Sequence, residues 1–496
     1  MTRLIEKTLS GFKWSALSTV LNLVSQLVFM AIMARLLDPA AFGLVAIAMV
    51  VLRFASYFAQ MGVGPAVVQK KVLEEVDIRV AFTLSVSLGC IAAGVIYMLA
   101  PLIGPWMEID QLAGVIRVLT ISFLLTGLST VPIYLLRRGL RFKVLAFVET
   151  VSYILGYGAC GVLLALNGAG VWSLVGASLS QGSLTFLLGY YFARHPILPA
   201  INRQSTRHFF NFGSRYSIIG FLEFVGSNLD TMMIGRVLGD TATGLYNRAF
   251  LLTNLPIQYI VNSVSKVMFP VLSEVQNERE KIGQVYLVFL FLIGSLTGAV
   301  CFGMIPAASD LVLTLLGKQW EASVPVLQVL AVAVPFVFLS HISGIILDAL
   351  AKLRMKFMIQ SASIVVLVTA MFYLSKFGLI GFAGAVVIAE LFKSIVYFLA
   401  MNSLFKLSYR DLLKIALYTT AIPVLTMTAI WLTVNLIAMS GIPHWGRLAV
   451  DILVGAVSVS VLFMVAWSGL RQLQIFHTLN IRFPLLLRIS TNFRLL

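Results

Sequence analysis

The segment ARLLDPAAFGLVAIA at residues 34–48 aligns without gaps with GRVLGDTATGLYNRA at residues 235–249. Arg35 and Arg236, Leu37 and Leu238, Ala41 and Ala242, Gly43 and Gly244, Leu44 and Leu245, and Ala48 and Ala249 coincide. Each copy ends one apolar run, turns through a short stretch and starts the next. A second pair agrees: NGAGVWSLVG (167–176) resembles FGLIGFAGAV (377–386), again between two apolar runs. The first six runs thus read as a duplicate of the next six, in the same orientation because the unit holds an even number of spans. Two bundles related by an axis along the membrane normal are a transporter architecture, with a cavity between the lobes.

The runs themselves are membrane helices. The chain has 496 residues, 59% hydrophobic and 11% charged, with a mean hydropathy of +0.97. Soluble domains are about a quarter charged, so lipid must be the solvent of this one. Runs near 20 residues match the ~30 Å hydrocarbon core, and they lack the alternation of a β-barrel. An all-α integral membrane protein of about fourteen helices follows. The expected spans are 14–36, 41–61, 80–104, 113–136, 147–166, 172–193, 215–237, 245–270, 286–306, 323–350, 358–376, 382–403, 415–438 and 448–468. The expected division is a lobe over 1–200, a lobe over 201–410, two further helices over 411–470 and a basic tail over 471–496.

The net charge of +16 is spread over short clusters between runs, with no basic domain, so no nucleic-acid partner is expected. The clusters alternate. One set of connections carries Arg3, Lys7 and Lys13; Lys70, Lys71 and Arg79; Arg137, Arg138, Arg141 and Lys143; Arg194, Arg203 and Arg207; Arg279 and Lys281; Lys352, Arg354 and Lys356; and Lys406, Arg410 and Lys414. The opposite set carries little beyond Lys318, Lys376 and Arg447. The positive-inside rule therefore places both termini in the cytoplasm. The basic N-terminus leads into a retained first helix without a small-residue cleavage site. Cys90, Cys160 and Cys301 lie singly in apolar runs and carry no metal or disulfide signal.

No enzymatic constellation is present in the sequence. The histidines lack metal spacing, no phosphate-cradling glycine loop precedes a Lys-Ser/Thr pair, and the largest outer connection, around 307–322, is too short for a catalytic domain such as a polymerase or ligase would carry. No cofactor is expected. Polarity instead lies inside helices. Ser15, Ser18, Asn22 and Ser25 share one face, flanked by Gln26; Arg53, Ser56, Tyr57 and Gln60 form a second stripe. Arg53 falls near the bilayer midplane, where an Arg costs about 2.5–3.5 kcal/mol on insertion scales. A wet cavity or an ion pair, with Glu149 for instance, would offset that. In the second half, Glu223, Ser227 and Asp230 share a face, and Arg248, Asn247, Asn254, Gln258 and Lys266 follow on the next helix. The stripes fall on equivalent helices of the two repeats, as a central cavity requires; single Ser or Asn residues serve equally as interhelical glue. His341, Asp348 and Lys352 share another face, and Glu390 with Lys393 reads as a self-neutralising pair.

The stretch FKWSALSTVLNLVSQLVFMAIMARLLDPAAFGLVAIA, followed by GVGPAVVQKK and LRRGLRFKVLA, resembles the Wzx-type polysaccharide-repeat flippases, exporters of O-antigen and exopolysaccharide units. They belong to the superfamily that includes the MATE drug exporters and the lipid II flippase. The resemblance implies a MATE-like pair of six-helix lobes in the bacterial inner membrane. It also implies movement of an undecaprenyl-pyrophosphate-linked oligosaccharide to the periplasmic leaflet by alternating access, with a polysaccharide polymerase and export machinery as candidate partners. Amides and hydroxyls suit a saccharide and the planar guanidinium suits phosphate. The expected substrate-binding residues are Arg53, Asn22, Gln26, Tyr57, Gln60, Arg248, Asn254, Gln258 and Lys266, with Glu223 and Asp230 as coupling residues for H⁺ or Na⁺. The alternative is a MATE-type cation-coupled drug or metabolite antiporter, with twelve helices and a dominant carboxylate.

Overall fold

The computed structural model describes residues 21–60, 62–70, 72–202, 205–206, 224–255, 278–350, 352–437 and 441–470. Every regular element among them is helical. Ten stretches of these residues are long and apolar enough to cross a membrane, and one of the ten, Leu353–Phe405, is 53 residues long and contains two helices each of 22 residues or more. The chain is a multi-pass membrane protein. The remainder of the expected fourteen spans involves residues outside those described, including the first part of span 14–36 and most of the span expected over 245–270.

The described residues gather in two compact units, one formed by residues up to Asn247 together with Leu315–Gln319, the other by Arg248–Thr314 and the residues from Trp320 onward. The first unit opens with α1 (21–36) and α2 (Pro39–Gln60). Between them, Asp38 Oδ1 accepts the Ala41 N–H at 2.9 Å and Pro39 occupies the first helical position, the usual chemistry of a helix start. Gln319 donates through Nε2 to the carbonyls of Ala34 and Leu37, tying off the last turn of α1. There follow α3 (Val63–Gln69), α4 (Glu75–Met107), α5 (Leu112–Leu119) and α6 (Ile121–Arg138). Next, α7 (Phe142–Tyr153) passes into a π-helical segment (Ile154–Gly161) and α8 (Val162–Leu166), and α9 is Val171–Ala193.

Glycine sets how closely these helices approach. A Cβ on Gly89 would lie 2.7 Å from the Phe123 carbonyl oxygen, and one on Gly127 2.6 Å from that of Ser85. So α4 and α6 cross backbone to backbone, the small-residue contact typical of membrane helices.

The stretch 224–255, α10, is a hairpin rather than one rod. Residues 16 apart in a straight helix lie ~24 Å apart, yet the Tyr246 hydroxyl donates to Asp230 Oδ2 at 2.6 Å. The reversal is at Gly239, whose φ of 84° is left-handed. This turn packs on its sequence repeat. A Cβ on Gly43 would stand 1.7 Å from the Asp240 carbonyl oxygen, and one on Gly244 1.9 Å from that of Pro39. Pro39 and Asp240 hold the same place in the aligned segments, so the contact is reciprocal. The two copies of the motif touch each other through the glycines they share.

At the end of the unit where basic loops cluster, Asp77 accepts from Lys70 and, at 2.6 Å, from the Ser205 hydroxyl. The arginines there are occupied by backbone. Arg138 Nη1 donates toward the carbonyls of Val67, Val68 and Lys70 at 2.8, 3.0 and 2.6 Å. Arg79 donates to the carbonyls of Leu198 and Pro199, and Arg141 to that of Phe192. Beside them His195 is buried between the rings of Phe82 and Tyr190, with Nδ1 3.1 Å from the Pro196 oxygen. Burial lowers its pKa from the usual 6.5.

The second unit contains α11 (Arg279–Leu315), α12 (Val324–Ala349), α13 (Leu353–Leu374), α14 (Gly378–Phe405), α15 (Tyr409–Ile437) and α16 (His444–Leu470). Its core holds Tyr286, Phe291, Phe338, Ile346 and Met401. Gly294, Gly298 and Gly303 on α11 face Thr419, Pro423 and Ile430 on α15, and Phe463 of α16 stacks on Phe291 at 5.5 Å. The outward face of α16, with Ile452, Leu453, Val457 and Val461, is exposed; in a bilayer that face meets acyl chains. Helix α11 continues to Leu315 rather than ending near 306, because Pro306 is accommodated inside it, and the expected outer connection 307–322 shortens accordingly. Asp348 pairs with Lys356 at 2.9 Å, while Glu390 and Lys393 form the expected i, i+3 pair at 2.5 Å.

Candidate functional site

Arg53 lies on α2, within a stretch able to span a membrane, and its side chain is exposed. It makes no ion pair with any described residue. Glu149, the acidic partner considered from sequence, is 3.7 Å from Arg137 instead. Arg53 borders a cavity of about 240 Å³ inside the first unit, enclosed by α2, α4, α6 and α9. Hydroxyls dominate its polar lining: Ser56, Ser85, Ser122, Thr126, Thr130 and Ser178. Several satisfy themselves locally, Ser56 Oγ on the Arg53 carbonyl at 2.7 Å and Thr130 Oγ1 on that of Thr126 at 2.7 Å. Ser85 Oγ is buried and has no hydrogen-bond partner among the described residues. An unsatisfied buried hydroxyl costs about 1–3 kcal/mol, which water or a ligand hydroxyl in the cavity would recover.

A guanidinium, a ring of hydroxyls and apolar walls from Met49, Leu52 and Phe123 suit a polar, anion-bearing group. The α6 members Ser122, Thr126 and Thr130 recur every fourth residue, a same-face stripe that was legible in the sequence. Ser85 and Ser178 gave no such signal; Ser85 reaches the cavity because Gly89 and Gly127 draw α4 against α6, and Ser178 because α9 packs on α6 through Gly182 and Gly189, against Leu125 and Ile133.

The other expected residues are dispersed. Asn22 and Gln26 are half-buried on α1, and Asn22 Oδ1 is buried without a partner among the described residues. Tyr57 contacts the Phe224 ring, centroids 5.5 Å apart. Gln60 ends α2. Asp230 is buried, accepting from Tyr246 and from the Thr231 N–H at 2.7 Å, so it joins the two arms of the α10 hairpin. Arg248 and Asn254 belong to the second unit, and Asn254 Nδ2 donates to the Phe250 carbonyl at 3.0 Å within its own helix. Glu223, Gln258 and Lys266 lie outside the described residues. The described residues hold no group of three or more His, Cys, Asp or Glu side chains placed to bind a metal.

Comparison with known proteins places these features in context. The family model described as "Polysaccharide biosynthesis protein" matches residues 32–325. The chain is 25% identical over 354 residues to the lipopolysaccharide biosynthesis protein WzxC of Escherichia coli (strain K12), covering 71% of this chain and 72% of that one. It is 28% identical over 329 residues to the succinoglycan biosynthesis transport protein ExoT of Rhizobium meliloti (strain 1021), covering 64% and 65%. Among solved structures, the lipid II flippase MurJ in an inward closed conformation superposes with a TM-score of 0.72 at 14% identity, covering 92% of this chain and 99% of that one. An inward-facing MATE-family multidrug transporter gives 0.62 at 16% identity, covering 77% and 95%. These structural likenesses carry the fold, which is MATE-like.

Proposed function

The chain belongs to the polysaccharide biosynthesis protein family, and from that premise we propose that it is a flippase for lipid-linked oligosaccharides. It moves undecaprenyl-pyrophosphate-linked polysaccharide repeat units from the cytoplasmic to the periplasmic leaflet of the bacterial inner membrane by alternating access, with both termini in the cytoplasm. The polymerase and export machinery that use the flipped unit are its expected partners. Relatives named for lipopolysaccharide biosynthesis and for succinoglycan transport support the reading.

The observation that carries it is Arg53, a cation without an acidic partner among the described residues, beside a hydroxyl-lined cavity in a spanning helix. A pyrophosphate offers that guanidinium a bidentate acceptor, and the serine and threonine hydroxyls match sugar hydroxyls. With the cell interior negative, outward passage of the headgroup is downhill by about 2.3 kcal/mol per charge per 100 mV. A fixed cation lowers the barrier to that passage. Asn22, Gln26, Tyr57 and Gln60 extend the headgroup contacts on the first repeat, and Arg248, Asn254, Gln258 and Lys266 supply them on the second. Glu223 and Asp230 are the coupling carboxylates in this scheme.

Replacing Arg53 by Ala removes a charge-assisted contact worth about 1.5–3 kcal/mol, so flipping slows by roughly 10- to 150-fold. Lipid-linked oligosaccharide then accumulates on the cytoplasmic side while the protein's abundance in the membrane is unchanged, and Arg53→Lys retains part of the activity. Undiminished polymer export by Arg53→Ala would remove the assignment.

A further inference from the structure

Far from the Arg53 cavity in sequence, two titratable side chains meet in the second unit and a third lies two turns away on the same face of α16. Asp310 lies near the end of α11 remote from the basic Arg279–Lys281 end, and its carboxylate is 7% exposed. His444 opens α16 and brings Nδ1 to 2.5 Å from Asp310 Oδ1, with 48% of its own side chain in contact with solvent. Two turns along α16, Asp451 is 2% exposed. One of its oxygens lies 3.3 Å from the Thr433 hydroxyl of α15, whose nearer acceptor is the Ile430 carbonyl at 2.8 Å. The other, Oδ2, has no hydrogen-bond partner among the described residues.

The charge count is decisive. The one imidazole contacts Asp310, whereas Asp451 lies seven residues, about 10 Å, further along α16, so protonated His444 offsets the Asp310 charge and leaves that of buried Asp451 without an ion-pair partner among the described residues. The other charged side chain on this part of α16, Arg447, donates its Nε to the Ile442 carbonyl at 2.8 Å. Helix α15 carries no charged residue after Lys414 and contributes only Thr433 here. A bare buried carboxylate oxygen is expensive, and protonation removes the expense. A sodium ion would need several oxygen ligands at once, and the described residues place no group of three or more acidic or imidazole side chains to hold a metal ion.

We propose that Asp310, His444 and Asp451 form a proton-binding site, in which Asp451 holds the proton and the half-exposed His444 exchanges it with the aqueous phase opposite the basic loops. By the positive-inside asymmetry that phase is the outer one. Proton binding itself needs no assumption about cargo; its use as the coupling ion rests on the flippase reading above.

The test is infrared difference spectroscopy of the purified full chain in lipid vesicles, titrated from about pH 8 to about pH 5, the range in which an imidazole exchanges protons. The wild type develops a protonated-carboxyl band that shifts in D₂O. Asp451→Asn abolishes that component, and exchanging Na⁺ for choline at constant ionic strength leaves it in place. Because an altered Asp451 could disturb the packing of α16, Thr433→Val provides a second probe: it keeps the shape of the side chain, removes the hydroxyl beside Asp451 and displaces the titration. Superimposable spectra for wild type, Asp451→Asn and Thr433→Val would overturn the proposal, as would a titration that follows Na⁺. Polymer export by Asp451→Asn and Arg53→Ala is scored in parallel. Normal export by Arg53→Ala would fail the flippase reading while leaving the spectral result standing.

Discussion

Adding one methyl group at Gly43 tests the reciprocal contact between the two repeated turns. In Gly43→Ala the new Cβ sits 1.7 Å from the Asp240 carbonyl oxygen and 2.6 Å from its carbon. Ordinary contact begins at 3.4 Å, so the turns must part by about 1.7 Å, and both sides of the clash are backbone that no rotamer change can relieve. Overpacking of this kind costs about 1–3 kcal/mol where side chains can adjust; with backbone on both sides we expect the upper end. Gly244→Ala meets the Pro39 oxygen at 1.9 Å and costs a similar amount. The decisive measurement is the double variant. Because one separation of the same two turns relieves both clashes, the combined loss should stay close to that of the worse single variant, a coupling of about 1–3 kcal/mol. Thermal unfolding of the purified protein in detergent, by intrinsic fluorescence, reads all three. Gly94→Ala and Gly114→Ala are controls: nothing lies within 4 Å of either new methyl, and as helical positions they gain up to about 1 kcal/mol. Additive losses, or a Gly43→Ala protein as stable as wild type, would refute the reciprocal packing.

Two further outcomes follow from hydrogen bonding and protonation. Tyr246→Phe removes the donor to buried Asp230 and should lower stability by about 1–3 kcal/mol, more than the near-isosteric Asp230→Asn, which still accepts from Thr231; if Asp230 is a coupling residue, Asp230→Asn also stops polymer export at undiminished abundance. The lowered pKa of buried His195 means that, between that value and about 6.5, the unfolded chain binds the extra proton and stability rises with pH. Thermal stability should therefore be flat above about pH 7, fall as pH drops through that window and level off below it, and His195→Phe, which keeps a ring between Phe82 and Tyr190, should lessen the slope.

Most of the architecture was readable because membrane helices announce themselves by composition. The turn at Asp38–Pro39 and its counterpart at Gly239–Asp240 stand where the repeat put them, and the α10 hairpin follows the expected break between 237 and 245. The site was less legible. Arg53 drew notice because a charge in an apolar run is costly, but its surroundings depend on how α4 crosses α6, a matter of Gly89 and Gly127 meeting carbonyl groups, which leaves no periodic trace. The Ser122, Thr126 and Thr130 stripe does leave one, on a helix whose only charges, Arg137 and Arg138, sit in its last turn away from the stripe. Partners escaped for a related reason. Glu149 takes Arg137 from across a tight turn, and Asp310 meets His444 134 positions away, a juxtaposition only the packing of α16 on α11 creates.

Arg79, Arg138 and Arg141 show that one set of atoms answers two demands. Whatever reads loop charge during insertion is indifferent between lysine and arginine, since it senses only the sign. The carbonyls of Val67, Val68 and Lys70 are not indifferent, for a planar, forked head can close several open backbone ends at once where a compact ammonium on a flexible stem closes them less well. A drift from arginine to lysine at such positions would leave the chain threaded the right way round and yet loosen its inner rim. Orientation in the bilayer and cohesion of the fold are thus inherited through the same guanidinium groups.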